Sequence, residues 1–129
     1  MKIESLSYVS IETTDLQEWD DYAKNVVGLM KNESLSDDHN LYLRMDEKAF
    51  RFHIQTGGSK KFIAAGLNIR GKEEFEVAKN ELTSANIDFA DFSDELIAAR
   101  CVKNGITLKD PAGNVLEISY GGADADEPF

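Results

Sequence analysis

The sequence predicts an α+β domain built from two successive βαβββ modules, and three observations carry this. The order strand, helix, strand, strand, strand occurs twice, at a spacing of about 58 residues. Thr56-Gly57-Gly58-Ser59, between the copies, is the strongest linker signal in the chain. Each copy holds one helix with an apolar stripe, and neither could bury its hydrophobic face well alone, so the two pair into one domain over 1–129. The modules are placed at about 1–57 and 60–121.

In the first module, Ile3 to Thr13 alternates with period two and reads as a strand. Asp15 opens a helix, with Glu18 at capping-box spacing. Leu16, Trp19, Tyr22, Ala23 and Val26 form its core-facing stripe, and Gly28 ends it. Strands follow near Met30 to Ser34, Leu41 to Met45 and Phe50 to Gln55, with Asp37-Asp38-His39-Asn40 as a solvated turn.

The second module opens with a strand at Phe62 to Ile69. A helix over Lys72 to Ala85 turns Phe75, Ala78 and Leu82 inward, and Asn86 closes it in the left-handed conformation. Strands are expected near Asp88 to Phe92, Gly105 to Lys109 and Asn114 to Tyr120, with Ser93 to Lys103 as a loop or short helix.

The last two strands flank Asp110-Pro111-Ala112-Gly113-Asn114. Pro111 suits the first central turn position, Gly113 tolerates positive φ, and Asp110 and Asn114 can bond nearby backbone. Period-two patterning then puts one carboxylate, Glu117, mid-strand among apolar neighbours. Such a group either faces water, the commoner case, or serves as a ligand or base.

Composition bounds the partners. The 129 residues include 42% hydrophobic ones, enough for a core, and the net charge is −10. That charge argues against nucleic acid and anionic membrane, both of which need a basic footprint. Cys101 is the one cysteine, which excludes an internal disulfide and fits a reducing, cytoplasmic compartment. Cys101 adjoins Arg100, but no base-and-orienter set accompanies it, so it reads as a structural thiol.

Strand, Asp-Pro-x-Gly-Asn, then strand with a mid-strand Glu resembles the closing hairpin of the vicinal oxygen chelate superfamily. Paired βαβββ modules are that superfamily's fold. The resemblance therefore implies a cupped, partly closed mixed sheet with helices outside, the glyoxalase/bleomycin resistance/dioxygenase fold. Further segments resemble the amino-terminal half of type I extradiol dioxygenases: Ile3-Glu4-Ser5-Leu6-Ser7-Tyr8-Val9, Asp15-Leu16-x-x-Trp19, Val27-Gly28-Leu29-Met30, Leu41 to Asp46, Ala49 to Phe52, and Ala65 to Ile69. As a set they cover essentially the whole chain.

In that family two such domains sit in tandem, and the carboxy-terminal one holds Fe(II) through two His and one Glu. Carried over by position, Glu117 stands at the carboxylate-ligand site, while Tyr8 and Ala64 stand where the His ligands belong. Alanine cannot bind metal and neutral Tyr is a poor substitute. The resemblance thus implies no metal, cofactor or catalytic residue in this domain. His39, in a polar turn, and His53, off the ligand positions, do not restore the set. The candidate concave cleft comprises Tyr8, Glu12, Arg51, His53, Asn68 and Glu117. The ending Glu127-Pro128-Phe129 resembles the family's inter-domain segment, so 122–129 is expected to start a linker to a carboxy-terminal catalytic domain. The partners implied are that domain, a second copy of the chain in a homo-oligomer, and a small aromatic substrate for the parent enzyme.

Two alternatives stay open. One is a stand-alone, homodimeric, metal-free binding module of the bleomycin-resistance type, with Arg51, His53 and Glu12 as polar contacts. The other is a glyoxalase-type lyase or isomerase sharing a metal across a dimer, for which Glu117, Glu12 and His53 are the few donors on offer.

Overall fold

A computed structural model describes residues 1–129. The fold is α+β, with eight strands in a mixed sheet and three α-helices. The chain divides into two compact units. One comprises Tyr8–Ile63 with Asp124–Phe129, the other Met1–Ser7 with Ala64–Ala123.

In the Tyr8–Ile63 unit the strand order is β2 (Met30–Lys31), β3 (Asn40–Arg44), β4 (Phe52–Thr56), β1 (Ile3–Thr13). β1 runs parallel to β4 with Ser10 opposite His53 and Glu12 opposite Gln55, and the other neighbours are antiparallel. Helix α1 (Leu16–Tyr22) starts where the Asp15 carboxylate accepts from the Glu18 N–H at 3.1 Å. The Asp15 N–H is bonded by the Thr13 hydroxyl, so the capping role passes to Thr13 and not to Glu18.

A π-helical turn, Ala23–Val27, continues α1 until Gly28, at φ +84°, stops it. Leu16, Trp19 and Ala23 pack on Leu41, Leu43, Ile54, Ile11 and Phe52 as the sequence predicts. Tyr22 and Val26 do not: they are 54% and 68% exposed. The i→i+5 turn winds less per residue than an α-helix, so Val26 lags behind the stripe, and Tyr22 already sits at its edge.

In the Ala64–Ala123 unit the order is β5 (Lys61–Ile69, from Ala64 onward), β8 (Val115–Tyr120), β7 (Asn104–Lys109), β6 (Ala90–Asp91). β5 is parallel to β8 and the remaining pairs are antiparallel, the same scheme as in the other unit. Helix α2 (Lys72–Ser84) buries Phe75, Ala78 and Leu82 against Ile69, Ile106 and Ile118. Fully burying each large aliphatic or aromatic side chain of this set contributes about 1.5–3 kcal/mol. Asn86 takes φ +58°, as expected of the residue closing α2.

The stretch after β6 forms a short helix, α3 (Asp94–Arg100), capped by the Ser93 hydroxyl accepting from the Leu96 N–H. Cys101, at φ +56°, ends it. The β7–β8 turn follows its chemistry: the Asp110 carboxylate accepts from the N–H of Ala112 and of Asn114, and Gly113 sits at φ +87°.

Several strands are shorter than their apolar patterns. β2 stops at Lys31 because Asn32 turns inward, donating to the Ala49 carbonyl and accepting from the Ser34 hydroxyl and Leu35 N–H. β6 likewise keeps only Ala90 and Asp91.

Candidate functional site

Glu117 is the chemical centre of the Ala64–Ala123 unit. Alternation along β8 turns Ile118 into the α2 core and Glu117 to the opposite face, between Gly66 of β5 and Thr107 of β7. Gly66 brings no side chain to this row. The space is entered by Arg100, the last residue of α3, where the left-handed turn at Cys101 stops the helix. Arg100 Nε lies 2.8 Å from Glu117 Oε1 and Nη2 lies 3.2 Å from Oε2. Both side chains are 5% exposed.

This corrects the commoner reading of a mid-strand glutamate, because Glu117 does not face water. Two-point guanidinium pairing compensates its burial. The sequence pointed to Glu117 but linked Arg100 only with Cys101. The α3 register that delivers Arg100 to β8 depends on the Ser93 cap, and Ser93-x-x-Leu96 after β6 was the available signal. With Arg100 committed to Glu117, burial alone governs Cys101 and pushes its thiol pKa up.

In the same unit, Asn68 donates to the Glu4 carboxylate at 3.0 Å. Ala64 is wholly buried and offers only a methyl group.

In the Tyr8–Ile63 unit, Tyr8 is 2% exposed and stacks obliquely on Phe50, centroids 5.2 Å apart. Phe50 also meets the edge of Tyr42 at 5.0 Å. His53 is buried and stacked on Tyr42 at 4.6 Å. Its Nε2 is 2.8 Å from Asn40 Oδ1 and its Nδ1 is 3.0 Å from Ser10 Oγ. Asn40 Nδ2 donates to Asp37, which turns the amide oxygen toward His53. His53 therefore carries its proton on Nε2 and accepts from the Ser10 hydroxyl at Nδ1.

Serine, histidine and amide in line suggest a nucleophile. Ser10, however, is wholly buried and its hydroxyl is given over to His53. Arg51 is held by Asp46, with Nη2 2.6 Å from Oδ2, and its N–H donors pull the Asp46 carboxyl below the usual range. Glu12 accepts from the Ser59 hydroxyl at 2.7 Å and the Ser59 N–H at 3.1 Å. Gly57 makes that clasp possible, since a Cβ there would fall 2.2 Å from Glu12 Cδ.

The six cleft candidates are thus divided. Tyr8, Glu12, Arg51 and His53 lie in one unit and Asn68 and Glu117 in the other, each engaged with neighbours of its own unit. Nowhere do three or more His, Cys, Asp or Glu side chains come together as a metal-holding group. The three residues expected at ligand positions do not fit Fe(II): Ala64 is a buried methyl, Tyr8 a phenol stacked on Phe50, and the Glu117 carboxylate is closed by a guanidinium. No helix is long and apolar enough to cross a membrane.

Comparison with known proteins accords with this geometry. Residues 6–57 match the family described as dihydroxybiphenyl dioxygenase BphC D1. An iron-dependent extradiol dioxygenase of Rhodococcus jostii (strain RHA1) is 34% identical over 123 residues, which are 95% of this chain and 41% of that protein. A biphenyl-2,3-diol 1,2-dioxygenase of Pseudomonas sp. (strain KKS102) is 35% identical over 130 residues, 100% of this chain and 44% of that protein. A crystal structure of catechol 2,3-dioxygenase superposes with a TM-score of 0.94 at 32% identity, covering all of this chain and 45% of the other. The chain spans about two-fifths of the length of the curated relatives it matches. The chain thus has the extradiol dioxygenase fold and is similar along its whole length to enzymes of that kind, with the family described as dihydroxybiphenyl dioxygenase BphC D1 matched at residues 6–57.

Proposed function

We propose that the chain serves as the amino-terminal, iron-free domain of an extradiol ring-cleavage dioxygenase acting on a catechol-type aromatic. The observation that carries this reading is similarity along the whole chain to enzymes of that activity, of which it spans about two-fifths. The Arg100–Glu117 pair supports it from inside: a carboxylate neutralised by a fixed guanidinium has no need of a metal. Fe(II) then belongs to a carboxy-terminal domain, reached through residues 122–129, where it would bring catecholate and O₂ together.

The residues of this chain act in folding, in packing against that domain and in homo-oligomer assembly, in the cytoplasm. The relatives' names, 3-methylcatechol 2,3-dioxygenase and biphenyl-2,3-diol 1,2-dioxygenase among them, point to one- and two-ring aromatic diols as the substrate class. The reading is tested with an oxygen electrode. The 129-residue chain supplied anaerobically with Fe(II) should consume no O₂ with 3-methylcatechol or biphenyl-2,3-diol, while the full-length protein should consume one O₂ per diol. Ring cleavage by the chain alone, or none by the full-length protein, overturns it.

A further inference from the structure

Arg44 sits at the end of β3, 2% exposed, with no carboxylate against it. Its guanidinium donates to the carbonyls of Lys48 and Asp46 at 3.3 and 3.2 Å, and Nη1 faces only the Met30 thioether at 3.6 Å. The Phe129 ring lies over it, 5.9 Å from Cζ to centroid. Buried guanidinium groups are ordinarily paired with an anion, because carbonyl dipoles and a thioether leave the charge itself uncompensated. An apolar side chain would fill this strand position without that cost.

Arg44 also lines a cavity of about 500 Å³ within the Tyr8–Ile63 unit, and two further cations, Lys24 and Lys31, line it too. Both lysines lean on Asp20, at 3.2 and 3.6 Å, and Lys31 also on Glu33 of the cavity lining, at 3.7 Å, so their charges are met by carboxylates, whereas Arg44 has carbonyls and a thioether alone. Leu29 and Met30 supply an apolar wall. The tail adds Asp126 and Glu127 to the lining, and the Ala125 N–H is bonded to the Glu47 carbonyl.

We infer that this cavity is an anion site taking a small organic carboxylate with an apolar body, its carboxylate on Arg44 and Lys31 and its body against Leu29 and Met30. Guanidinium geometry suits a planar carboxylate, and the apolar wall favours an organic acid over inorganic phosphate. The site uses none of the ligand positions discussed above, while its tail residues 125–127 belong to the segment proposed to lead into the carboxy-terminal domain. Glu33, Asp126 and Glu127 line it too, as intramolecular competitors for the same cations.

The test is calorimetric and NMR titration of the 129-residue chain with benzoate, acetate and inorganic phosphate at fixed ionic strength. Benzoate should bind saturably at one site, more tightly than acetate or phosphate, and shift the amides of 29–34 and 125–127. Lys31→Gln should weaken benzoate at least threefold and Arg44→Gln at least tenfold. Asp126→Asn with Glu127→Gln should tighten it at least threefold, because the competing carboxylates of the tail are gone. Should Arg44→Gln fail to fold, the Lys31 and tail variants decide. Absence of saturable benzoate binding, or phosphate binding as tightly as benzoate, overturns the inference. So does a tail variant that lowers Tm without gaining affinity, which would make the tail itself the anion.

Discussion

Arg100 and Glu117 form a closed ion pair, 2.8 Å between Nε and Oε1, each side chain 5% exposed. Breaking it from one side leaves a bare buried charge. Arg100→Ala should therefore cost about 3–5 kcal/mol of stability. Arg100→Met combined with Glu117→Leu should recover most of that loss, because no charge is then left behind. Urea unfolding of the two variants, at equal m-values, checks the contrast.

The His53 clasp makes a second prediction. Asn40→Ala removes the acceptor for His53 Nε2–H and should cost about 1–3 kcal/mol, the penalty of a buried donor left unmade. Nitrogen-15 NMR of the imidazole should show the Nε2–H tautomer in the wild-type chain.

Much of this architecture is legible in the sequence, and its gaps have physical causes. Period two in Ile3–Thr13 and Val115–Tyr120, and the 3.6 period of Phe75, Ala78 and Leu82, locate elements because burial selects those residues directly. The Asp110–Asn114 turn is legible because its backbone demands its residues. Val26 misleads because a π turn shifts helical phase and leaves no compositional mark. Glu117 is legible as a singular carboxylate, yet its partner is not. Arg100 reaches it across 17 residues of sequence through the angle of α3, a tertiary fact that no local pattern encodes. The internal bonding of His53 and Arg51 is hidden for the same reason.

Cys101 should be a sluggish thiol. Burial raises its pKa, so the thiolate fraction at pH 8 is below that of a free cysteine, and alkylation at that pH should lag a model thiol. The same shift makes the unfolded chain release this proton first. Its contribution to stability is therefore present below the unfolded thiol's pKa and lost as pH rises through the folded one. Cys101→Ser should flatten the alkaline side of a stability–pH profile.

Acid acts in the opposite sense. Asp46 is held low chiefly by the Arg51 side chain, and Asp110 chiefly by the Asn114 amide. Depressed carboxyls stabilise above their unfolded pKa, and that stability drains as pH falls below about 4 through the folded values. Asp46→Asn with Asp110→Asn should lower Tm at pH 7 and flatten its decline below about pH 4.

The central claim is that this fold serves as one domain of a larger ring-cleaving enzyme, and the intact mass of the native protein from its source cells tests it most directly. The account predicts a species at least twice the 14.4 kDa of these 129 residues, with biphenyl-2,3-diol-dependent oxygen uptake in the same fraction. A native species of 14.4 kDa without that activity would contradict it.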